Sequence, residues 1–387
     1  IMPSLVGSEM CIRDRFTWAR QRARLDEGAL MARFPHLPEW EAGEVQPTLR
    51  QLEHYAQATH APLGYFFLPA PPQEAVPIPD FRTMGQGVPR LSADLLDVIY
   101  TCQTRQAWYR DEALVNGETP LSFVASVTLA TPPADAAGLI RQALGFSVQA
   151  RSECPSWTEA LRLFITQAEQ VGVMVMVSGV VMNNNTRHLD PKEFRGFALA
   201  DAIAPLVFIN GADSKAAQMF TLAHELAHLW LGQTALSNPP VAEASDHATE
   251  TWCNQVAAEL LVPQADFRAA LQRGEAIDMA QQRLARHFKV SSLVVLRRML
   301  DVGWLNKGAF WDAYRAEEER ISALAARSAG GGDFYRTTVA RVSKRFAQSL
   351  VVSTLEGRTL YRDAFRMLGI AKPGTFNELG RTLGFPT

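Results

Sequence analysis

No apolar run in these 387 residues approaches the roughly 18 that a membrane-spanning helix needs, and no basic-then-apolar start reads as a signal peptide. Cysteine is scarce. The four present, Cys11, Cys102, Cys154 and Cys253, stand far apart and form no CxxC pair. Their spacing suits reduced thiols in a cytoplasmic protein better than a disulfide framework or a cysteine zinc site. Charge of one sign is also lacking. A formal net charge of −2 gives no global pull toward nucleic acid or anionic lipid, so any such binding must come from a local patch. No internal repeat is present.

What is there is an ordinary globular composition, 47% hydrophobic and 20% charged, in a chain too long for a single ordinary core. The expected fold class is multidomain and mainly α, with an α+β core carrying a small sheet of about three strands. Residues 1–15 (IMPSLVGSEMCIRDR) are similar to a stretch found at the front of unrelated translated environmental sequences, and are set aside as a non-native leader. Residues 16–68 have helical spacing, broken by the turn from Gly43 to Thr48, with Thr48 as an N-cap. A Pro-rich linker follows at 69–90, and a helical region at 91–150 opens with Ser92 as the N-cap of a long helix.

Residues 151–305 mix the two periods. A helix is expected from Ser156 to Gln170, then strand signals at Gly172–Val181, Phe194–Leu199 and Pro205–Asn210. The polar stretch Asn183–His188 reads as a turn or hairpin loop. Helices then cover Ser214–Gly232 and Ala244–Leu261, the second ended by Pro263, and Leu284–Gly303 reads as a helix-turn-helix pair. Residues 306–387 are helical again, interrupted at Ala329–Gly332.

The chemistry concentrates in Phe220–Gly232 (FTLAHELAHLWLG). His224 and His228 stand at i and i+4, so both imidazoles share a helix face and can reach one zinc ion at about 2.0–2.1 Å. Glu225, adjacent to the first ligand, is placed to hold and deprotonate the attacking water. A catalytic zinc needs a third protein ligand, and Glu250 leads, with Asn254 on the same face at i+4 to brace it. Glu243, Asp246, His247 and Cys253 compete for that role; Cys253 reads better as a small buried filler and Glu259 as a solvated charge.

From about Trp157 to Pro263 the chain resembles the ImmA/IrrE metallopeptidase family, which is gluzincin-like. The likeness is carried in order by FRGFALAD (Phe194–Asp201), APLVFIN (Ala204–Asn210), FTLAHELAHLWLG and ETWCNQVAAELLVP (Glu250–Pro263). The resemblance implies that His224, His228 and Glu250 hold zinc and that Glu225 is the general base. Cys253 stands where the family usually has alanine, a small-for-small departure. It also implies an endopeptidase that cuts a protein substrate, commonly a helix-turn-helix repressor. His188, Arg187 and Arg195 are candidates to stabilise the oxyanion, and none is assigned.

Residues 16–68 resemble a Cro/repressor-type (Xre-like) helix-turn-helix domain. Between Ala32 and Trp40, however, Pro35 and Pro38 leave no room for a long recognition helix. Residues 16–69 hold five arginines against six acids, a balance of −1. DNA binding through this module is therefore the weaker expectation, and docking or dimerisation the stronger. Leu284–Gly303, with adjacent Arg297 and Arg298, reads better as helices closing off the peptidase domain than as a DNA reader. Residues 333–387 carry nine Lys/Arg against four acids, a balance of +5 that suits a solvated face. The rival to a peptidase is a DNA-binding regulator or antitoxin-like partner that uses the peptidase fold for binding.

Overall fold

The computed structural model describes residues 9–72, 74, 77–80, 91–237, 248–325 and 334–385. Contacts divide it into two compact units, one drawn from 1–77 and 84–100, the other from 78–83 and 101–387.

The first unit is built from α1 (Glu9–Arg22), α2 (Glu27–Arg33), α3 (Leu37–Ala42) and α4 (Leu49–Ala58), then a 3-10 turn at Leu63–Phe67. Helix α1 runs without a break through Arg15, the expected end of the leader, and Arg15 is buried. Its core is aromatic: Phe16, Phe34, Trp40, Tyr55 and Phe66 pack edge to face or tilted, and the Tyr55 hydroxyl donates to Phe16 O at 2.9 Å. Thr48 caps α4 as expected, in a capping box with Gln51. Helix α3 has only six residues, with Pro38 in its first turn and Gly43 (φ +75°) closing it. Glu39 pairs with His36 and Glu41 with Arg20, so the short helix presents carboxylates.

Helix α5 (Ala93–Val115), with the Ser92 hydroxyl accepting from Leu95 N, opens the remaining elements. Then come α6 (Pro133–Leu144), α7 (Val148–Ser152), α8 (Trp157–Gln170), β1 (Met174–Ser178), β2 (Val180–Val181), β3 (Asn184–His188), β4 (Gly196–Leu199), β5 (Leu206–Asn210), α9 (Lys215–Leu231) and β6 (Ala235–Ser237). The chain continues through α10 (Ala248–Leu261), α11 (Gln264–Ala270), α12 (Ile277–Phe288), α13 (Ser292–Asp301) and α14 (Lys307–Ala325). Last are α15 (Phe334–Val342), α16 (Lys344–Leu355), α17 (Tyr361–Leu368) and α18 (Pro373–Thr382). Among the described residues, no helix is long and apolar enough to cross a membrane.

The sheet has four strands in the order β1-β5-β4-β6, one more than expected, and β2–β3 form a separate ribbon. Strand β6, Ala-Leu-Ser, has neither alternation nor β-branching, so only its pairing with β4 makes it a strand. On its other edge Leu236 N donates to Pro79 O at 2.8 Å, so the end of the expected linker extends the sheet. The polar stretch expected as a loop is β3 itself, paired antiparallel with β2.

Strands β1 and β5 are parallel, β5 buried along its length and β1 at every residue but the half-buried Val177. Alternate side chains face opposite sides, as the pleat requires. Val175, Ala198, Val207 and Ile209 join the core formed with α8, α9 and α10. Helices α15 and α16 pack against β1, and Arg105 on α5 reaches Met176, which faces away from that core. The C-terminal helices therefore belong to the same unit as the sheet. Arg105 donates to Met367 O at 2.9 Å, Asn183 to Gly369 O at 2.8 Å, and Arg341 to the Asn183 side chain at 2.8 Å.

Candidate metal centre

Helix α9 is enclosed all round, every residue from Gln218 to Trp230 being buried. Its apolar residues satisfy that environment, and its polar ones must find partners or a ligand. The Ser214 hydroxyl accepts from Ala217 N at the start, and Gly232 ends the helix at φ +71°. Within it the i, i+4 spacing puts His224 and His228 on one side, with their Nε2 atoms 3.1 Å apart.

Glu250 comes from the first turn of α10, which packs on α9 and α6 and sends Val256, Leu260 and Leu261, all fully buried, into the shared core. Its carboxylate spans the pair, Oε2 lying 3.1 Å from His224 Nε2 and Oε1 3.0 Å from His228 Nε2. One donor atom from each of the three lies within 4.8 Å of the others, and all three residues are buried. Donors at about 2.0–2.1 Å from a tetrahedral ion would stand about 3.3 Å apart, close to the separations found here. Two imidazoles and a carboxylate without cysteine are the donor chemistry of a catalytic rather than a structural zinc site. The residues fit a metal ion.

Burial, then the neighbouring His224, lowers the proton affinity of His228 against the opposite pull of Glu250. Burial works against the charge on Glu250, but the two imidazoles outweigh it and hold the carboxyl at about 2. Glu225 is opposite. It is fully buried outside the donor cluster, and burial, then the charge of Glu250, push its carboxyl well above the usual range. Neither of its oxygens meets a hydrogen-bond partner of full geometry among the described residues; the Ser237 hydroxyl is the group that favours its charged form.

The other expected residues divide. Cys253 is fully buried and its thiol is pushed well up, first by burial, as a filler beneath Glu250. The Asn254 oxygen is buried and meets no partner among the described residues. Glu243, Asp246 and His247 lie outside the described residues. His188 is exposed on β3, and Arg195 faces Asp213 at 3.6 Å. Glu259 is no solvated charge: it pairs with Arg298 at 2.5 Å, both side chains being mostly buried. Arg298 therefore anchors α13 to the end of α10, and only Arg297 of that pair stays near the surface, bound to Asp301.

Sequence reasoning missed Ser237. Its hydroxyl lies 3.5 Å from His228 Nε2, in a strand of three residues without pattern, so nothing in the sequence marks it.

Residues 168–300 match the family described as the IrrE N-terminal-like domain (Peptidase_M78), within the 151–305 expected for the peptidase. Residues 342–382, from the end of α15 to the end of α18, match a domain of unknown function, DUF8813. The chain has no match among curated proteins. The first match covers the sheet, both histidines, Glu225 and Glu250, and so points to a metallopeptidase-like domain in this part of the chain.

Proposed function

We propose that this protein is a zinc-dependent endopeptidase acting on a protein substrate, which the likeness to the ImmA/IrrE family suggests is a helix-turn-helix repressor. One observation carries the reading: His224, His228 and Glu250 converge with donor atoms 3.0–3.1 Å apart, with an unbonded buried carboxylate, Glu225, beside them.

His224, His228 and Glu250 would hold the ion, leaving one position of a tetrahedral site open. Zinc bound there would supply a Lewis acid for the scissile carbonyl and the attacking water. Glu225 takes a proton from that water as it attacks the carbonyl carbon, then gives it to the nitrogen of the departing amine as the peptide bond breaks. Its raised proton affinity suits a group that must keep the proton between the two transfers. Burial of the site removes competing bulk water from both transfers. Residues 16–68 serve this reading as a docking module, because α3 presents Glu39 and Glu41 where a DNA reader needs cationic or amide side chains.

The test uses purified chain loaded with zinc, mixed with a repressor encoded beside it, with and without chelator. A discrete cut that chelator abolishes is expected. Glu225→Gln should retain zinc and lose cleavage, by a factor of at least about a thousand, whereas His224→Ala should lose both. A zinc-loaded Glu225→Gln protein that still cuts at the wild-type rate would remove the mechanism.

A further inference from the structure

The metal cluster stands closed to a protein substrate. His224, Glu225 and His228 are wholly buried, and Glu250 is 2% exposed. A scissile carbonyl must reach the same ion, so the reaction needs a way for an extended chain to arrive. Such a chain docks most simply by adding a strand to a sheet edge, where main-chain donors and acceptors stand unpaired. The four-stranded sheet has two edges, β1 and β6. Strand β1 lies three strands away from β6, whereas β6 ends in Ser237, whose hydroxyl is 3.5 Å from His228 Nε2. The edge beside the metal cluster is therefore β6.

That edge is already occupied. Leu236 N donates to Pro79 O at 2.8 Å, and Asp80 bridges to Leu236 in parallel, one residue from Ser237. Ile78 is 5% exposed and anchors the segment by burial, while Pro79 itself is exposed. Pro79 accepts through its carbonyl but has no N–H to return to β6, so the ladder cannot continue upstream. A chain with an ordinary residue at that register would pair along more of the edge than residues 78–80 do. The segment is thus placed to hold the edge and built to yield it.

We propose that residues 78–80 are an internal occupant of the substrate's docking strand. They fill the outer edge of β6 and close the approach to His228 until an extended stretch of the protein substrate displaces them. The proposal rests on the peptidase reading for the identity of that competitor. Occupancy of the edge can be measured without any turnover.

Ile78→Ser withdraws the anchor and leaves every residue of the metal cluster in place. Ile78→Ala, a smaller step in the same direction, serves if the serine chain does not fold, and Ile78→Val should behave as the wild type. Zinc-loaded full-length chains are compared by zinc content, by hydrogen exchange at the Leu236 amide and by cleavage of fluorescein-labelled casein. Zinc content should stay at about one per chain. In Ile78→Ser the Leu236 amide should exchange at least about tenfold faster. An added peptide copying residues 76–83 (VPIPDFRT) should restore its protection. Cleavage per bound zinc should rise about tenfold, and the same peptide should suppress it. A segment that only covers the sheet edge would lower the thermal midpoint and leave cleavage per bound zinc unchanged, which overturns the proposal. So does a Leu236 amide that exchanges no faster, or one that the peptide fails to protect. If neither protein cuts casein, the peptidase reading has failed for that substrate, and the peptide's effect on Leu236 still decides whether this edge takes an extended chain.

Discussion

Glu225 and Glu250 are both buried carboxylates, yet their proton affinities diverge because Glu250 lies against two imidazoles that outweigh burial. Glu250 faces two imidazole nitrogens at about hydrogen-bond distance and is held at about 2, whereas Glu225 faces mainly apolar surface and the charge of Glu250. Burial acts on both carboxylates, and only at Glu250 is it outweighed by neighbouring imidazoles. Two of the cysteines follow the same rule. Burial pushes the Cys102 thiol up to about 12 and the Cys253 thiol well above its usual value. Both should stay unlabelled by a thiol-disulfide reagent at about pH 8 in the native protein and react once denaturant is added, because the thiolate is the reactive form. Counting labelled positions by mass spectrometry before and after unfolding checks this; native labelling of Cys253 would contradict the packing beneath Glu250. The histidine pair and both carboxylates were legible in the sequence because helical spacing fixes which side chains share a face. Ser237 was not, because its place depends on a pairing across β4 that no local pattern encodes.

At the scale of elements, the site depends on how α10 is held. Its first turn carries Glu250, and its last carbonyls are met by arginines from three other helices. Arg141 on α6 donates to Glu259 O at 2.7 Å, Arg151 on α7 to Leu261 O, and Arg298 on α13 to Val262 O at 2.9 Å. Cations at a helix C-terminus oppose the negative end of its dipole and fill carbonyls left without intrahelical partners. Arg298 gains further from the Glu259 carboxylate, whereas Arg151 is fully buried without one, and burial lowers its proton affinity to about 9. Glu259→Ala, which leaves buried Arg298 only the longer pair with Asp301 at 3.6 Å, should lower stability by about 3 kcal/mol, read as a shift in denaturant midpoint. A change below about 0.5 kcal/mol, typical of exposed pairs, would show that Glu259 is solvated after all. Sequence reasoning misjudged Glu259, since a charged residue near a helix end looks the same whether it faces water or a neighbouring helix. It succeeded where one element contains the whole signal, as in the Ser214 and Gly232 limits of α9.

For the molecule as a whole, the C-terminal helices cover one face of the sheet that carries the site on the other. Glu169 at the end of α8 makes the join. Its carboxylate accepts from the Ser343 hydroxyl at 2.5 Å and from Lys344 N at 2.9 Å, at the start of α16. Burial raises its carboxyl above the usual 4.5 in spite of these donors, so the folded chain binds that proton more tightly than the unfolded one. Its contribution to stability is therefore fully present below about pH 4.5 and lost as pH rises through the folded value. Thermal midpoints of wild type and Glu169→Gln, compared from about pH 4.5 to 7.5, should show the wild type losing ground to the variant as pH increases. A difference that is constant or moves the other way would mean that the helix N-terminus, rather than burial, governs Glu169.

The sequence by itself determined helix limits such as those of α9, the mainly helical class and the His224, His228 and Glu250 cluster that could hold a metal ion, because each is written in spacing along one element or in a motif within it. It also determined that α3 is too short for a full recognition helix, since two prolines act locally on the backbone. Only the tertiary structure decided that Arg298 and Glu259 are structural, that the last helices belong with the sheet, and that the sheet gains a fourth strand in β6. Those features arise from residues distant in the chain, and burial and pairing between them are properties of the assembled core, not of any local sequence pattern.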